Sequence, residues 1–155
     1  MDTEIRCPIA SETDLVVARA KGRALALELG FSRTDATLIA TAISEVARNI
    51  IVHVGKGEIR MSPVLENRRR GLVVEAIDDG PGIRDVESAL EFGYASRGGL
   101  GLGLPGARRL MDEFAIDSDV DRGTRVTMTK WRFRDELEIL RENRLEAATR
   151  VDGAA

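Results

Sequence analysis

The spacing of apolar residues in the first third of the chain predicts two successive helices. Ser11, with an aspartate three residues further on, resembles a capping box, and Gly30 is suited to end the helix that it opens. Ser32 or Thr34 provides the next start signal. Apolar side chains then recur at helical spacing to about His53: Leu38, Ile39, Ala42, Ile43, Val46 and Ile50.

Alternating apolar and polar residues predict strands in other parts of the chain. The stretch EIRCPI at 4–9 is a weak edge strand, a position that tolerates Pro8. Two hairpins follow, the first turning at ENRRR and the second at DRG: 58–65 with 71–77, and 114–119 with 124–131. Between the hairpins the pattern predicts a short helix at 85–91 and a helix at 104–113.

The order of these elements predicts the fold class. Because the strands come in hairpins and not in repeated βαβ units, we expect a mixed or antiparallel sheet with helices on one face, an α+β two-layer sandwich. A chain of 155 residues fits one domain, which we place at 1–131. Residues 132–155 carry five basic and six acidic side chains, a composition that predicts a charged helical extension or a flexible tail.

Composition excludes several classes of function. Aromatic residues make up 4% of the chain and the net charge is -3, which argues against a nucleic-acid partner. Cys7 and His53 are the only cysteine and histidine, so a CxxC or multi-histidine zinc site is excluded. The start of the chain does not resemble a secretory signal, and no apolar run approaches the ~20 residues that span a bilayer. We therefore expect a cytoplasmic protein with no membrane partner.

The run GGLGLGLPGARRL at 98–110 is the most unusual stretch of the sequence. Gly101, Gly103 and Gly106 formally match the dinucleotide pattern GxGxxG, but no strand precedes them and the element order contains no βαβ unit. A P-loop would need a lysine that these glycines do not supply. The remaining interpretations are a flexible turn, or the mobile nucleotide lid of another ATP-binding fold.

Two upstream stretches bear on that choice. Glu45 and Asn49 lie four residues apart, so they project from one face of the second helix. The run DDGPGI at 78–83 follows a strand, and its glycines would let the backbone approach a flat ligand beside Asp78. Taken singly, the first pair is also compatible with an exposed polar face, and the second run with an ordinary turn.

Together and in this order, ExxxN, DxGxG and GxGxG resemble the Bergerat ATP-binding fold of the GHKL superfamily. The resemblance covers about residues 4–131, and Gly123-Thr124 matches a fourth, smaller motif. Within the superfamily, EVARNI at 45–50, DDGPGI and GGLGLGLPGARRLMDEF at 98–114 resemble the RsbT-type serine/threonine kinases of the bacterial stressosome. Residues 132–155 have no counterpart in that resemblance.

The resemblance implies a role for each residue of the site. Glu45 would be the general base, Asn49 a ligand of Mg²⁺, and Asp78 the acceptor of a hydrogen bond from the adenine amino group. Gly80 and Gly82 would leave space for the base, and the Thr124 hydroxyl would supplement that pocket. Backbone N–H groups would bind the ATP phosphates at three further glycines: Gly99, Gly101 and Gly103. Residues 84–98 would be the nucleotide lid, and the glycines its hinge.

The resemblance also implies partners. Kinases of this type phosphorylate STAS-domain scaffold and antagonist proteins, and the released kinase binds and activates a PP2C-type phosphatase in a stress-response partner-switching pathway. The alternative is an anti-sigma factor that sequesters a sigma subunit, although such proteins usually continue differently after the glycines. A third possibility is an oligomeric scaffold with a vestigial site. The sequence leaves the oligomeric state open.

Overall fold

The computed structural model describes residues 4–83, 103–133 and 136–153. Within these ranges the chain forms five strands and four helices, in this order: β1 (Ile5–Ile9), α1 (Glu12–Glu28), α2 (Arg33–His53), β2 (Gly57–Glu66), β3 (Arg69–Asp78), α3 (Gly103–Leu110), β4 (Glu113–Asp119), β5 (Gly123–Trp131) and α4 (Glu136–Gly153).

The five described strands form one antiparallel sheet in the order β1-β2-β3-β5-β4. Burial alternates along β3, where Leu72, Val74 and Ala76 are buried together with Ile39 and Ile43 of α2 in one core cluster. Such alternation is typical of a sheet that is covered by helices on one face. The predicted α+β sandwich is confirmed, and of the two predicted sheet arrangements the chain adopts the antiparallel one.

Local sequence signals fix the ends of α1 and α2. The Ser11 and Ser32 side chains accept hydrogen bonds from backbone N–H groups three residues further on. Gly30, with a φ of 92°, ends α1 in a Schellman motif, because its own N–H and that of Phe31 donate to the carbonyls of Leu27 and Ala26. Both starts and the end of α2 at His53 agree with the sequence pattern.

Two predicted boundaries are wrong. The first hairpin turns tightly at Asn67 and Arg68, both with positive φ, so β2 and β3 extend into the ENRRR segment. The helix predicted at 104–113 ends at Leu110, because Asp112 pairs with the last strand: its N–H donates to Thr129, and its carboxylate accepts from Trp131. The helix predicted at 85–91 and the lid predicted at 84–98 lie within residues 84–102, outside the described ranges.

The charged extension forms α4, and an ion pair between Arg68 and Glu146 connects this helix to the turn between β2 and β3. The division of the chain at residue 131 stays a prediction. In the described part of the chain, each helix is too short or too polar to cross a membrane.

Candidate nucleotide site

Helix α2 positions two of the predicted functional side chains. Glu45 and Asn49 lie one helical turn apart, at the edge of the apolar stripe of α2. The stripe residues Ile43, Val46 and Ile50 are buried in the core. Glu45 is 7% exposed, whereas Asn49 is half-buried. A carboxylate this deeply buried needs hydrogen-bond partners, and these come from outside α2 as well as from within it.

Glu45 contacts the end of the glycine run. Its Oε2 atom accepts a hydrogen bond of 2.9 Å from the backbone N–H of Gly103, the first residue of α3. Its Oε1 atom lies 3.7 Å from the Arg48 guanidinium. The predicted base and one of the predicted phosphate-binding N–H groups are therefore directly hydrogen-bonded to each other. Gly99 and Gly101 are outside the described residues.

Three neighbouring strands bring a row of polar side chains together. Asp78 on β3 faces Thr124 on β5, and Thr124 faces Ser118 on β4. Register partners point to the same side of a sheet, so the three side chains lie on one face. Asp78 and Thr124 are each 8% exposed, and the oxygens of Thr124 and Ser118 are 2.8 Å apart.

Two residues of this row, Asp78 and Thr124, border a cavity of about 120 Å³. Four predicted site residues line it: Asn49, Asp78, Gly82 and Thr124. The side chains of His53, Val54 and Ile83 contribute apolar and aromatic surface to the same walls. Asp78 also borders an open groove of about 790 Å³, where Gly80 lies beside it. A small cavity with a few convergent polar groups is the kind of site that orients a planar ligand.

The ionisation of Asp78 is perturbed by its position. Burial raises the pKa of its carboxyl group, and backbone hydrogen bonds from Gly80 and Thr124, which favour the carboxylate, oppose that increase. The bond from the Gly80 N–H to Oδ1 is 2.9 Å long. These two bonds fix the carboxylate at the cavity edge, so that it can accept a further hydrogen bond from a ligand.

The glycines next to the cavity lie in close contact with neighbouring segments of the chain, where a side chain would not fit. A side chain at Gly80 would lie 2.6 Å from the side chain of Val54, the residue directly after α2. At Gly82, where φ is 80°, it would collide with the Asp119 carbonyl, and at Gly123, where φ is 90°, with the Asp78 carbonyl. Glycine is therefore required at 82 and 123 both by the backbone conformation and by the close approach of a neighbouring strand end.

Comparison with known proteins identifies the family. A sequence profile of the histidine kinase-like ATPase domain matches residues 9–130. The chain belongs to the histidine kinase-like ATPase family. Its sequence is 48% identical to the serine/threonine-protein kinase RsbT of Bacillus subtilis (strain 168), over 79% of this chain and 92% of that protein. It is 32% identical to an anti-sigma F factor of Caldanaerobacter subterraneus subsp. tengcongensis, over 74% and 82% of the two chains.

An anti-sigma F factor of Clostridium acetobutylicum is 31% identical over 73% of this chain and 82% of its own length. The predicted resemblance to RsbT-type kinases of the GHKL superfamily is confirmed, and this histidine kinase-like ATPase is a protein serine/threonine kinase.

The donor set of this ATPase domain fits Mg²⁺ bound together with a nucleotide. Within the described residues, we find no cluster of three or more histidine, cysteine, aspartate or glutamate side chains that could hold a metal ion. Magnesium does not need such a cluster, because it is usually bound through one or two protein oxygens, phosphate oxygens and water. The amide oxygen of Asn49, at the cavity wall, can be such a ligand.

Sequence reasoning missed Ser118. Its hydroxyl contacts both Thr124 and the glycine turn, since the N–H of Ile83 donates to it over 2.8 Å. The signal was available in the predicted second hairpin: a tight turn between the two strands places Ser118 opposite Thr124.

Proposed function

We propose that the chain transfers the γ-phosphoryl group of ATP to serine or threonine hydroxyls of STAS-domain scaffold and antagonist proteins. One observation carries this proposal: Asn49, Asp78, Gly82 and Thr124 line one cavity, and Glu45 lies one helical turn from Asn49. The 48% identity to a serine/threonine kinase supports a protein hydroxyl as the acceptor.

In this proposal Asp78 and Thr124 bind the base of ATP. The Asp78 carboxylate accepts a hydrogen bond from the adenine amino group, and the Thr124 hydroxyl supplements it from the neighbouring strand. The phosphates lie at the N-terminus of α3, where the helix dipole and backbone N–H groups favour anions. Gly99 and Gly101 would supply these N–H groups without a P-loop lysine, whereas the Gly103 N–H, also predicted to bind phosphate, donates to Glu45 instead.

Asn49 would hold Mg²⁺ through its side-chain oxygen. There Mg²⁺ would supply positive charge that offsets part of the negative charge of the phosphates. The protein itself orients the acceptor and removes its proton: as the acceptor oxygen bonds to the γ-phosphorus and the bond to ADP breaks, the hydroxyl proton passes to the Glu45 carboxylate. The Gly103 N–H donates to one oxygen of that carboxylate, and the Arg48 guanidinium forms an ion pair with the other, so the carboxylate has a fixed position.

The released kinase would also bind and activate a PP2C-type phosphatase, so that it exchanges one partner for another. An anti-sigma function is the second candidate, since several relatives that are 29–32% identical are named anti-sigma F factors. The higher identity to the kinase and the segment LPGARRLM after the glycines favour the first candidate.

The deciding experiment is transfer of labelled phosphate from ATP to a purified STAS-domain protein. Wild type should label a serine or threonine, and Asn49→Ala and Asp78→Asn should not. Asn143→Ala on α4 and Asp121→Asn in the exposed β4–β5 turn are matched controls that should label normally. If wild type binds ATP and yet labels no STAS protein, the kinase proposal is wrong, and co-purification of a sigma subunit would favour the second candidate.

A further inference from the structure

The Ser118 hydroxyl makes three polar contacts, two of them with residues of the cavity wall, Ile83 and Thr124. It accepts from the Ile83 N–H at 2.8 Å, donates to the Gly123 carbonyl at 3.2 Å, and lies 2.8 Å from the Thr124 hydroxyl oxygen. Ser118 is on β4, the edge strand, and contacts the end of the glycine turn as well as the neighbouring strand β5.

The hydrogens of this cluster can be assigned by counting. A serine hydroxyl has one proton to donate and can accept two hydrogen bonds. The Ile83 N–H is only a donor and the Gly123 carbonyl only an acceptor, so all three contacts can be hydrogen bonds only if the Ser118 proton goes to Gly123. The contact with Thr124 is then a hydrogen bond only if Thr124 is the donor. All three contacts are satisfied in this arrangement, and Thr124 has lone pairs but no proton left for a ligand.

We propose that Ser118 is a positioning residue for nucleotide selection, which fixes the Thr124 hydroxyl as a hydrogen-bond acceptor toward the cavity. This inference rests on the proposed ATP site. The Asp78 carboxylate is the other acceptor in the same cross-strand row, so the row presents two acceptors to the ligand. The site should therefore select a purine that carries an amino group at position 6 over one that carries a carbonyl.

The chemistry of the two purines explains the selection. The 6-amino group of adenine offers two N–H donors, one for each acceptor. The 6-carbonyl oxygen of hypoxanthine offers none, and the single N1–H beside it can reach at most one of the two acceptors. At least one protein oxygen would therefore lose its water without gaining a partner. A site that is built around hydrogen bonds rejects an analogue without the matching groups more strongly than an apolar pocket does.

Ser118 also stabilises the fold, and the test must separate the two roles. Loss of its hydroxyl leaves the Ile83 N–H without its acceptor, which loosens the turn and weakens every nucleotide alike. Release of the Thr124 proton has a different effect, because that proton can rotate toward the cavity and donate to a carbonyl. Only this second effect changes the ratio of affinities for ATP and inosine triphosphate.

The experiment measures equilibrium binding of ATP and inosine triphosphate to the full chain with Mg²⁺. Ser118→Ala should lower the preference for ATP about fivefold, the equivalent of one neutral hydrogen bond. Ser118→Thr, which keeps the hydroxyl, should restore most of it. In a Thr124→Val background, Ser118→Ala should leave the preference unchanged. Ser62→Ala on β2 is the matched control, and thermal unfolding verifies that each variant is folded.

Each outcome bears on one claim. If Ser118→Ala weakens both nucleotides equally, or lowers the preference as much in the Thr124→Val background as in the native chain, Ser118 is only structural and the inference is overturned. If wild type binds ATP no better than inosine triphosphate, the selection does not exist. If wild type binds neither, the proposed function fails and this inference fails with it.

Discussion

The carboxylate of Glu45 accepts a hydrogen bond of 2.9 Å from the backbone N–H of Gly103, across a separation of 58 residues. This bond connects the middle of α2 to the first residue of α3 and gives a deeply buried carboxylate a partner. It also places a negative charge at the N-terminus of a helix, where the dipole is favourable. In our proposal the same carboxylate accepts the proton of the substrate.

These two roles of Glu45 can be separated by substitution. Glu45→Gln keeps an oxygen that can accept from Gly103, so it should remain folded and bind ATP, while phosphoryl transfer falls about 10²- to 10⁴-fold, the usual contribution of a general base. Glu45→Ala should in addition lose about 1–3 kcal/mol of unfolding free energy, because the Gly103 N–H loses its acceptor. Labelled phosphate transfer and urea unfolding measure the two effects.

Glu28→Gln, at the exposed end of α1, is the control for both measurements and should behave as wild type. Normal phosphoryl transfer by Glu45→Gln would show that Glu45 is not the base. Equal stability of the Gln and Ala variants would show that the bond to Gly103 contributes little to folding.

Asp78→Asn should separate stability from nucleotide binding. Burial raises the pKa of Asp78, so ionising this group costs the folded state more than the unfolded state. The free energy of unfolding should therefore decrease as pH rises from the ordinary aspartate pKa to the raised one, and the cost remains at neutral pH. Asparagine carries no charge and can still accept from Gly80, so the variant should be at least as stable as wild type at pH 7 and bind no ATP.

Two measurements check the Asp78 prediction. Urea unfolding of both proteins between pH 4 and 7 should show the advantage of the variant shrinking as pH falls and Asp78 becomes protonated. ATP affinity of wild type should rise with pH over the same interval, because the ligand binds the carboxylate. A variant that binds ATP normally would remove Asp78 from the proposed site.

The parts of the fold that the sequence predicts well depend on local signals. Ser11, Gly30 and Ser32 define helix ends through hydrogen bonds within a few residues, and these ends agree with the structure. The helix predicted to reach 113 ends earlier because Asp112 pairs with Trp131, a partner in another strand. A periodic pattern does not contain that information.

In the candidate site, too, the sequence predicts local relationships but not the contacts between distant parts of the chain. The spacing of Glu45 and Asn49 predicts that they share a helix face, but not that Gly103 would be the partner of Glu45. The turn signals predict both hairpins. The row of Asp78, Thr124 and Ser118 forms because β5 lies between β3 and β4 in the sheet, with Thr124 paired to a residue on each side. Strand order across a sheet is a long-range property, so the second hairpin predicts that Ser118 faces Thr124, but only the structure places this pair beside Asp78.

Two glycines with positive φ provide a matched test of close packing. Gly55 has a φ of 100° and open space where a side chain would lie, whereas Gly82 has a φ of 80° and the Asp119 carbonyl in the way. Gly55→Ala should cost about 1–2 kcal/mol of unfolding free energy, the strain of a left-handed residue. Gly82→Ala should cost about 4 kcal/mol or more, since strain and collision add. Equal costs in urea unfolding would mean that the β4–β5 turn moves away freely.

Removal of residues 134–155 tests whether the domain ends near residue 131. The family profile stops at 130, and the ion pair that connects α4 to the β2–β3 turn is solvent-exposed on the Arg68 side, where the side chain is 70% accessible. Exposed ion pairs contribute up to about 1 kcal/mol, so the truncated chain should lose no more than that and bind ATP within about twofold of wild type.

The single tryptophan makes this experiment direct, because Trp131 lies at the end of β5 beside Arg69 and reports unfolding through its fluorescence. Glu146→Gln in the full chain isolates the ion pair from the rest of α4, and should account for most of any stability lost on truncation. If truncation abolishes ATP binding while Glu146→Gln does not, α4 supports the nucleotide site through contacts other than this pair, and the domain extends beyond residue 131.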